Sequence, residues 1–168
     1  MNFPRILKKR KGYIDRIKPF MQKSVAKVLT GQRRVGKSFL LYQLIEEILA
    51  EEPDANIIYV NLEDFTFSSL QTAEDLHSYI ISHSKEKVKN YIFIDEIQDI
   101  PGFEKVIRSL LLNEDNDIYI TGSNAKMLSG ELATYLSGRY IEFKIYSLSY
   151  SEFLEFHGLT ESETSYEL

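Results

Sequence analysis

The sequence predicts an α/β fold of three layers (α/β/α), with helices on both faces of a five-stranded parallel sheet. Three observations carry that prediction. Five short apolar runs rich in β-branched and aromatic residues recur along the chain, helical periodicity fills the gaps between them, and glycine, acidic or hydroxyl residues cluster where the runs end. Strands alternating with helices are joined by right-handed crossovers, which make the sheet parallel and bury both of its faces. Ligands of such sheets sit beyond the carboxyl ends of the strands.

Each element has its own signature. "KSVAKVLTG" (23–31) is a buried strand ending at Gly31. "KSFLLYQLIEEILAEE" then sets Leu40, Leu41, Leu44, Ile45, Ile48 and Leu49 on one helical face, and Pro53 follows its end. "NIIYVNL" (56–62) is the second strand. Thr72 is placed to cap a helix running through Leu76, Tyr79 and Ile80. "NYIFIDEI" (90–97) is the third strand, and after Pro101-Gly102 a helix runs through Phe103, Val106, Ile107, Leu110 and Leu111. "DIYITGS" (117–123) is the fourth strand, and "AKMLSGELATYLSGR" a helical stretch weakened at Gly130. "YIEFKIYSLS" (140–149) alternates as a fifth strand, and "SYSEFLEFHG" closes as a short helix with Gly158 at its C-cap. Residues 1–158 thus read as one domain with a basic segment at 1–20, followed by a loose polar tail at 159–168.

Composition bounds the function. At 168 residues, 43% apolar and 27% charged, the chain is that of a globular protein with a substantial core. It has no cysteine, which excludes disulfides and thiolate metal sites, and His77, His83 and His157 are not spaced as a ligand set. Magnesium held by oxygen stays open. No apolar run approaches the ~20 residues that span a bilayer, and the N-terminus is a poor signal peptide, so a cytoplasmic address with no membrane partner is expected. Charge is unevenly spread. Residues 1–38 hold 12 lysines and arginines against one acid, a balance of +11, while the remainder holds 8 against 24, a balance of −16. The positive third ends in a glycine-rich loop, which suits a polyphosphate; it equally balances an acidic body.

That loop, "GQRRVGKS" (31–38), fits the Walker A pattern G-x-x-x-x-G-K-[ST] at every fixed position, directly after a strand and opening a helix. Gly31 and Gly36 leave no Cβ in the way of an anion, and backbone N–H groups at the helix N-terminus point at its β-phosphate. The candidate nucleotide-binding residues are Gly31, Gln32, Arg33, Arg34, Val35, Gly36, Lys37, Ser38 and Phe39. Lys37 is expected on the β- and γ-phosphates and the Ser38 hydroxyl on Mg²⁺. Asp95, emerging from the third strand as in a Walker B motif, is the second metal candidate. Glu96 follows it as the residue to polarise an attacking water. Neighbouring strand residues point to opposite faces, so this pair divides those tasks only where the strand is ending.

"ITGSN" offers Thr121, Ser123 and Asn124 either to a γ-phosphate and its lytic water or to ordinary turn capping. Arg139 in "LSGRY" is either a cation for a γ-phosphate or a surface arginine after a glycine turn. Glu63 and Asp64 either face the same crevice or cap the next turn of chain.

"TGQRRVGKS", "YIFIDEIQDI", "IYITGSN", "LSGRY" and "YSLSYSEF", in this order, resemble the N-terminal ATPase domain of bacterial and archaeal AAA+ proteins. The resemblance covers roughly residues 13–157. It implies a P-loop NTPase fold with strand order 5-1-4-3-2 and a site for ATP and Mg²⁺. Within that site it implies Lys37 and Ser38 on phosphate and metal, Asp95 on the metal and Glu96 as catalytic base. It also implies a sensor at Ser123 or Asn124, Arg139 acting across a subunit boundary in a self-associating protein, and residues Tyr13 to Phe20 near the adenine. That family follows the sheet with a helical lid and usually a further C-terminal domain; neither is expected within these 168 residues. Phe103 stands where family members often carry Trp.

The function expected is ATP hydrolysis coupled to an unknown partner. The alternatives are a nucleotide-operated switch with little turnover and a small-molecule P-loop kinase. None of the seven asparagines precedes a lysine, as guanine recognition would require, and residues 112–138 lack the arginines of a kinase lid. Nucleic acid enters only through "LKKRK" (7–11), a basic run that could contact a phosphate backbone.

Overall fold

The computed structural model describes residues 8–123 and 134–160. Its sheet contains β1 (Ala26–Gly31), β2 (Asn56–Asn61), β3 (Asn90–Asp95), β4 (Asn116–Ser123) and β5 (Tyr140–Ile145), in spatial order β2-β3-β4-β1-β5. All four pairings are parallel. Read from the other edge, this is the 5-1-4-3-2 order that the resemblance implied. The described helices are α1 (Lys11–Ile17), α2 (Lys37–Glu51), α3 (Ala73–His83), α4 (Phe103–Leu110) and α5 (Tyr150–His157).

The central strands β1, β3 and β4 are buried on both faces, so apolar residues face two cores. On one face Leu29, Tyr91, Phe93 and Tyr119 pack against Leu40, Leu41, Leu44 and Ile45 of α2 and against Ile14 and Ile17 of α1. On the other, Val28, Ile92, Ile94, Ile118 and Ile120 pack against Leu76 and Ile80 of α3 and Val106, Ile107 and Leu110 of α4. Each fully buried leucine or isoleucine contributes about 1.5–3 kcal/mol by leaving water.

Local signals set the helix ends. Thr72 caps α3 in a reciprocal box with Asp75, and Ser149 does the same for α5 with Glu152. Gly158 ends α5 in the left-handed conformation. The basic N-terminal segment contains α1, whose Ile14 and Ile17 lie in the core. The fifth strand stops at Ile145 rather than reaching Ser149, because the chain turns there to open α5. Asn124, most of the helical stretch expected over 125–139, and most of the tail expected over 159–168 lie outside the described residues. Among the described residues, no helix is long and apolar enough to cross a membrane.

Candidate nucleotide site

The glycine-rich loop leaves the carboxyl end of β1, in the middle of the sheet, and runs into α2. Arg34 (φ 64°) and Gly36 (φ 91°) are both left-handed, which turns successive N–H groups to one side. Gly36 sits at the N-cap of α2, and no side chain caps the helix. Its first N–H groups and its dipole therefore face the loop's concavity, an arrangement suited to an anion. Gly31 is required less by the anion than by the sheet: a Cβ there would collide with the Ile145 carbonyl oxygen of β5 and meet Val35 Cγ2 at 3.0 Å. It lets two strand ends close up, while Gly36 supplies the turn.

Lys37 is buried, and its Nζ donates to the Gln32 carbonyl at 3.1 Å and the Gly31 carbonyl at 3.4 Å. Its ammonium also stands 3.3 Å from Glu96 Oε1. Arg33, Arg34, Lys37, Ser38, Glu63 and Glu96 all border one open pocket of about 690 Å³, a size ordinary for a ligand site. Arg33 is tied to Glu63 at 2.6 Å; both are well exposed, so the pair adds little stability. Asp64 caps the short 3₁₀ turn Phe65–Phe67 instead of facing the pocket. The two readings of Glu63 and Asp64 thus divide between them.

Asp95 is the last residue of β3 and is 1% exposed. Burial pushes its carboxyl above the ordinary aspartate value, against the opposing pull of hydrogen bonds from the Ser38 and Thr121 hydroxyls. Tyr59 Oη reaches its other oxygen at 3.4 Å. A buried carboxylate beside a serine hydroxyl is a hard oxygen pair, and a divalent cation there would offset the cost of burying the charge. Glu96 adopts left-handed backbone angles (φ 56°, ψ 47°), a conformation costly for a residue with a Cβ. The strand ends between the two acids at that kink: Glu96 borders the pocket, and Asp95 lies buried beneath it against Ser38 and Thr121. Thr121, fully buried, holds the kink by accepting from Glu96 N–H at 3.0 Å while donating to Asp95 Oδ1. Its hydroxyl is committed to the two acids.

Ser123 ends β4, and its backbone N–H donates at 3.3 Å to Gln98 Oε1; Gln98 Nε2 in turn donates to Glu96 Oε2 at 2.7 Å. Sequence reasoning passed over Gln98, whose only signal is its place two residues after Glu96. It took Arg10 only as one cation of the basic run 7–11, whereas Arg10 is 4% exposed and donates to both Glu152 oxygens (2.8 and 3.0 Å), to the loop's Val35 carbonyl (3.0 Å) and to the Tyr146 carbonyl (3.0 Å). A smaller, mostly apolar pocket of about 330 Å³ adjoins the loop, with Phe39, Leu148, Phe156, Lys8 and Arg10 in its walls. The residues beside it thus come a few positions before the Tyr13–Phe20 segment. There, Tyr13 Oη accepts from Tyr146 N–H, and Phe20 packs on Phe143.

Arg139 is not brought to this site. It directly precedes β5, and its carbonyl accepts from Ala26 N–H at 2.9 Å, at the amino end of the sheet. The strands separating the two ends are roughly 17–20 Å long, beyond the reach of one side chain.

A family model described as "AAA domain" matches residues 23–154. An uncharacterized protein of Haemophilus influenzae is 44% identical over 152 residues, covering 86% of this chain and 37% of its own length. The chain spans between 28% and 37% of the length of the curated relatives it matches. Among solved structures, domain III of the replication initiation protein DnaA from Thermotoga maritima superposes with a TM-score of 0.60 at 14% identity, over 92% of this chain and 73% of that one. The ORC2 protein of Aeropyrum pernix, solved as ADPNP and ADP complexes, gives 0.55 at 13% identity, over 94% and 52%. The structures share the fold, and the family model spans most of the chain: it belongs to the AAA domain family, as a P-loop NTPase of the AAA+ type.

Proposed function

We propose that this domain binds Mg·ATP and hydrolyses it to ADP and phosphate, in the cytoplasm and in association with further copies of itself. The observation that carries the reading is one pocket bordered by a left-handed phosphate loop at a helix N-terminus, Lys37, and the kinked Glu96 beside Asp95. The loop and α2 N–H groups hold the β-phosphate, and Lys37 neutralises the β- and γ-oxygens. Ser38 and Asp95 are the protein oxygens that would hold Mg²⁺, which when bound supplies charge neutralisation across the phosphates. Glu96 accepts a proton from the water as its oxygen bonds to the γ-phosphorus and the bond to the β–γ bridging oxygen breaks. The adjoining pocket with Phe39, Leu148 and Phe156 suits a flat, apolar adenine.

Arg139, out of reach of its own loop, serves the γ-phosphate of a neighbouring copy. The Ser123 hydroxyl and Asn124 remain the sensor candidates for that phosphate. What the cycle drives depends on the rest of a longer protein of the kind the relatives represent. Nucleic acid is weakly supported by the basic run: Lys9 is paired with Glu47 and Arg10 is buried against Glu152, so two of its four cations are spent internally.

A second reading, a nucleotide-operated switch with little turnover, draws support from the ion pair that occupies both Lys37 and Glu96. Phosphate release from Mg·ATP per subunit, measured across a wide range of protein concentration, separates the two. Turnover that climbs with concentration and disappears in Arg139→Ala supports the assembling ATPase. Binding without turnover at any concentration supports the switch.

A further inference from the structure

We infer that Gln98 is a positioning residue for Glu96, tying that carboxylate to the end of β4 so that the two move as one unit; the inference rests on the ATPase reading. Glu96 is bound at both oxygens: Oε1 faces the Lys37 ammonium at 3.3 Å, and Oε2 accepts from Gln98 Nε2 at 2.7 Å. The other end of the same amide, Oε1, accepts from Ser123 N–H at 3.3 Å. The amide's orientation is dictated by chemistry. Flipped, it would set a carbonyl oxygen against a carboxylate and an NH₂ group against an N–H. Nε2 has a further long contact, 3.5 Å to Asp99 Oδ1, which favours the same orientation.

The two holds on Glu96 differ in kind. A polyphosphate in the loop competes directly for Lys37, because its oxygens carry more charge than one carboxylate. Once Lys37 turns to phosphate, Oε1 is free to take a proton from water. Gln98 is neutral and has no such competitor, so it goes on fixing the carboxylate through Oε2. Its link to Ser123 N–H makes the base's position depend on where the last residue of β4 lies. The left-handed backbone at Glu96 makes such support necessary, since a strained residue keeps its geometry only where its neighbours over-determine it. Thr121 supports the main chain of Glu96, and Gln98 supports its side chain.

The test uses the 168-residue chain with two variants. Gln98→Leu keeps the side chain's bulk and loses both hydrogen bonds. Gln98→Glu keeps an acceptor for Ser123 N–H, loses the donor to Glu96 and sets a like charge beside it. Both are expected to lower kcat for Mg·ATP by about 10- to 100-fold with Kd for Mg·ATP changed less than about threefold. Hydrogen-exchange protection of the Ser123 amide, read by NMR, should fall in Gln98→Leu and persist in Gln98→Glu. Unchanged kcat in Gln98→Leu, alongside an inactive Glu96→Gln, overturns the positioning role and leaves the ATPase reading intact. An unaltered Ser123 amide in Gln98→Leu overturns the tie to β4. Absence of turnover in the wild type at every concentration removes the ATPase reading, and with it the role assigned to Gln98 in turnover.

Discussion

The Lys37 ammonium and the Glu96 carboxylate form an ion pair of 3.3 Å within the nucleotide pocket, with the lysine 3% and the glutamate 10% exposed. On the proposed reading, Glu96 thus competes with the phosphates for Lys37. In Glu96→Gln the charge opposing phosphate is gone and Lys37 is released. Affinity for Mg·ATP is expected to rise about threefold to tenfold, in line with the roughly 0.5–1.5 kcal/mol net contribution of one intramolecular hydrogen bond. Turnover should fall at least about 100-fold, the scale of a general base. Isothermal titration and phosphate release, measured on the same preparation, check both. Weaker binding in Glu96→Gln would show that the carboxylate supports the nucleotide instead of competing with it.

The two glycines of the loop fail in different ways when filled. A methyl at Gly31 meets the Ile145 carbonyl, a backbone atom held in the sheet, and relief requires β1 and β5 to part. Gly31→Ala is expected to cost about 1–3 kcal/mol of stability or more, the range of overpacking. At Gly36 the nearest atom to an added Cβ is Arg10 Nη1 at 3.9 Å, so there is space, but φ is +91°. Gly36→Ala should cost only about 1–2 kcal/mol of strain and mainly weaken nucleotide binding by reshaping the loop. Urea unfolding and nucleotide titration on both variants give the comparison. Equal effects on folding and on binding would contradict the assignment.

Arg10 and Glu152 join the segment before α1 to α5, and the same guanidinium holds Val35 of the loop. The Arg10 hydrogen bond, foremost among the causes, holds the Glu152 carboxyl below its ordinary value of 4.5. A carboxyl whose pKa is depressed by folding stabilises the fold fully above its unfolded value and loses that contribution as pH falls through the folded one. In Glu152→Gln the capping acceptor for Ser149 N–H survives, and the charge partner of Arg10 does not. The variant is expected to be about 1.5–3 kcal/mol less stable near neutral pH, with the gap to wild type closing below about pH 4. Urea midpoints across that range measure it. A gap independent of pH would locate the effect in packing.

Much of this architecture was legible because parallel strands buried on both faces write themselves as apolar runs. All five appear where Val28, Ile58, Ile92, Ile118 and Phe143 predicted them, and the motif at Lys37–Ser38 announced the loop. Helix α1 was hidden because its charged residues dominate the composition, leaving only Ile14 and Ile17 as the apolar stripe. The excess length read into β5 has a related cause. Alternation continues past Ile145, but the carbonyls of Tyr146 and Ser147 turn to Arg10 rather than to a strand. Gln98 carried almost no signal: its amide joins Glu96 to Ser123, which lies 25 residues beyond Gln98, and only the sheet order brings them together. Thr121 shows the same limit. The pattern marked it as one of three hydroxyl or amide candidates, whereas its role came from Asp95 on the adjacent strand.

At the opposite end of the sheet from the loop, Lys27 and Asp117 form a fully buried ion pair. Asp117 also accepts from Tyr119 Oη and from Gln22 N–H, both at 2.8 Å. Burial, the leading cause, lowers the pKa of Lys27, and the charge of Asp117 opposes that shift. The pair is asymmetric: Asp117 has two hydrogen-bond donors besides the lysine, while Lys27 is otherwise met by the Val25 and Lys23 carbonyls, at 2.9 and 3.3 Å, and by the face of the Tyr119 ring at 4.7 Å. Asp117→Ala strands an ammonium, a phenol and an amide together, and should cost about 3–5 kcal/mol. Lys27→Met leaves a carboxylate with two hydrogen bonds and a flexible apolar chain in place of the lysine stem, so its cost should be smaller by at least about 1 kcal/mol. Urea unfolding ranks the two. Mg·ATP affinity should be unchanged in both once folding is accounted for, since neither residue touches the loop. The reverse ranking would mean that the charge on Lys27, rather than the hydrogen-bonded carboxylate, anchors this end of the sheet.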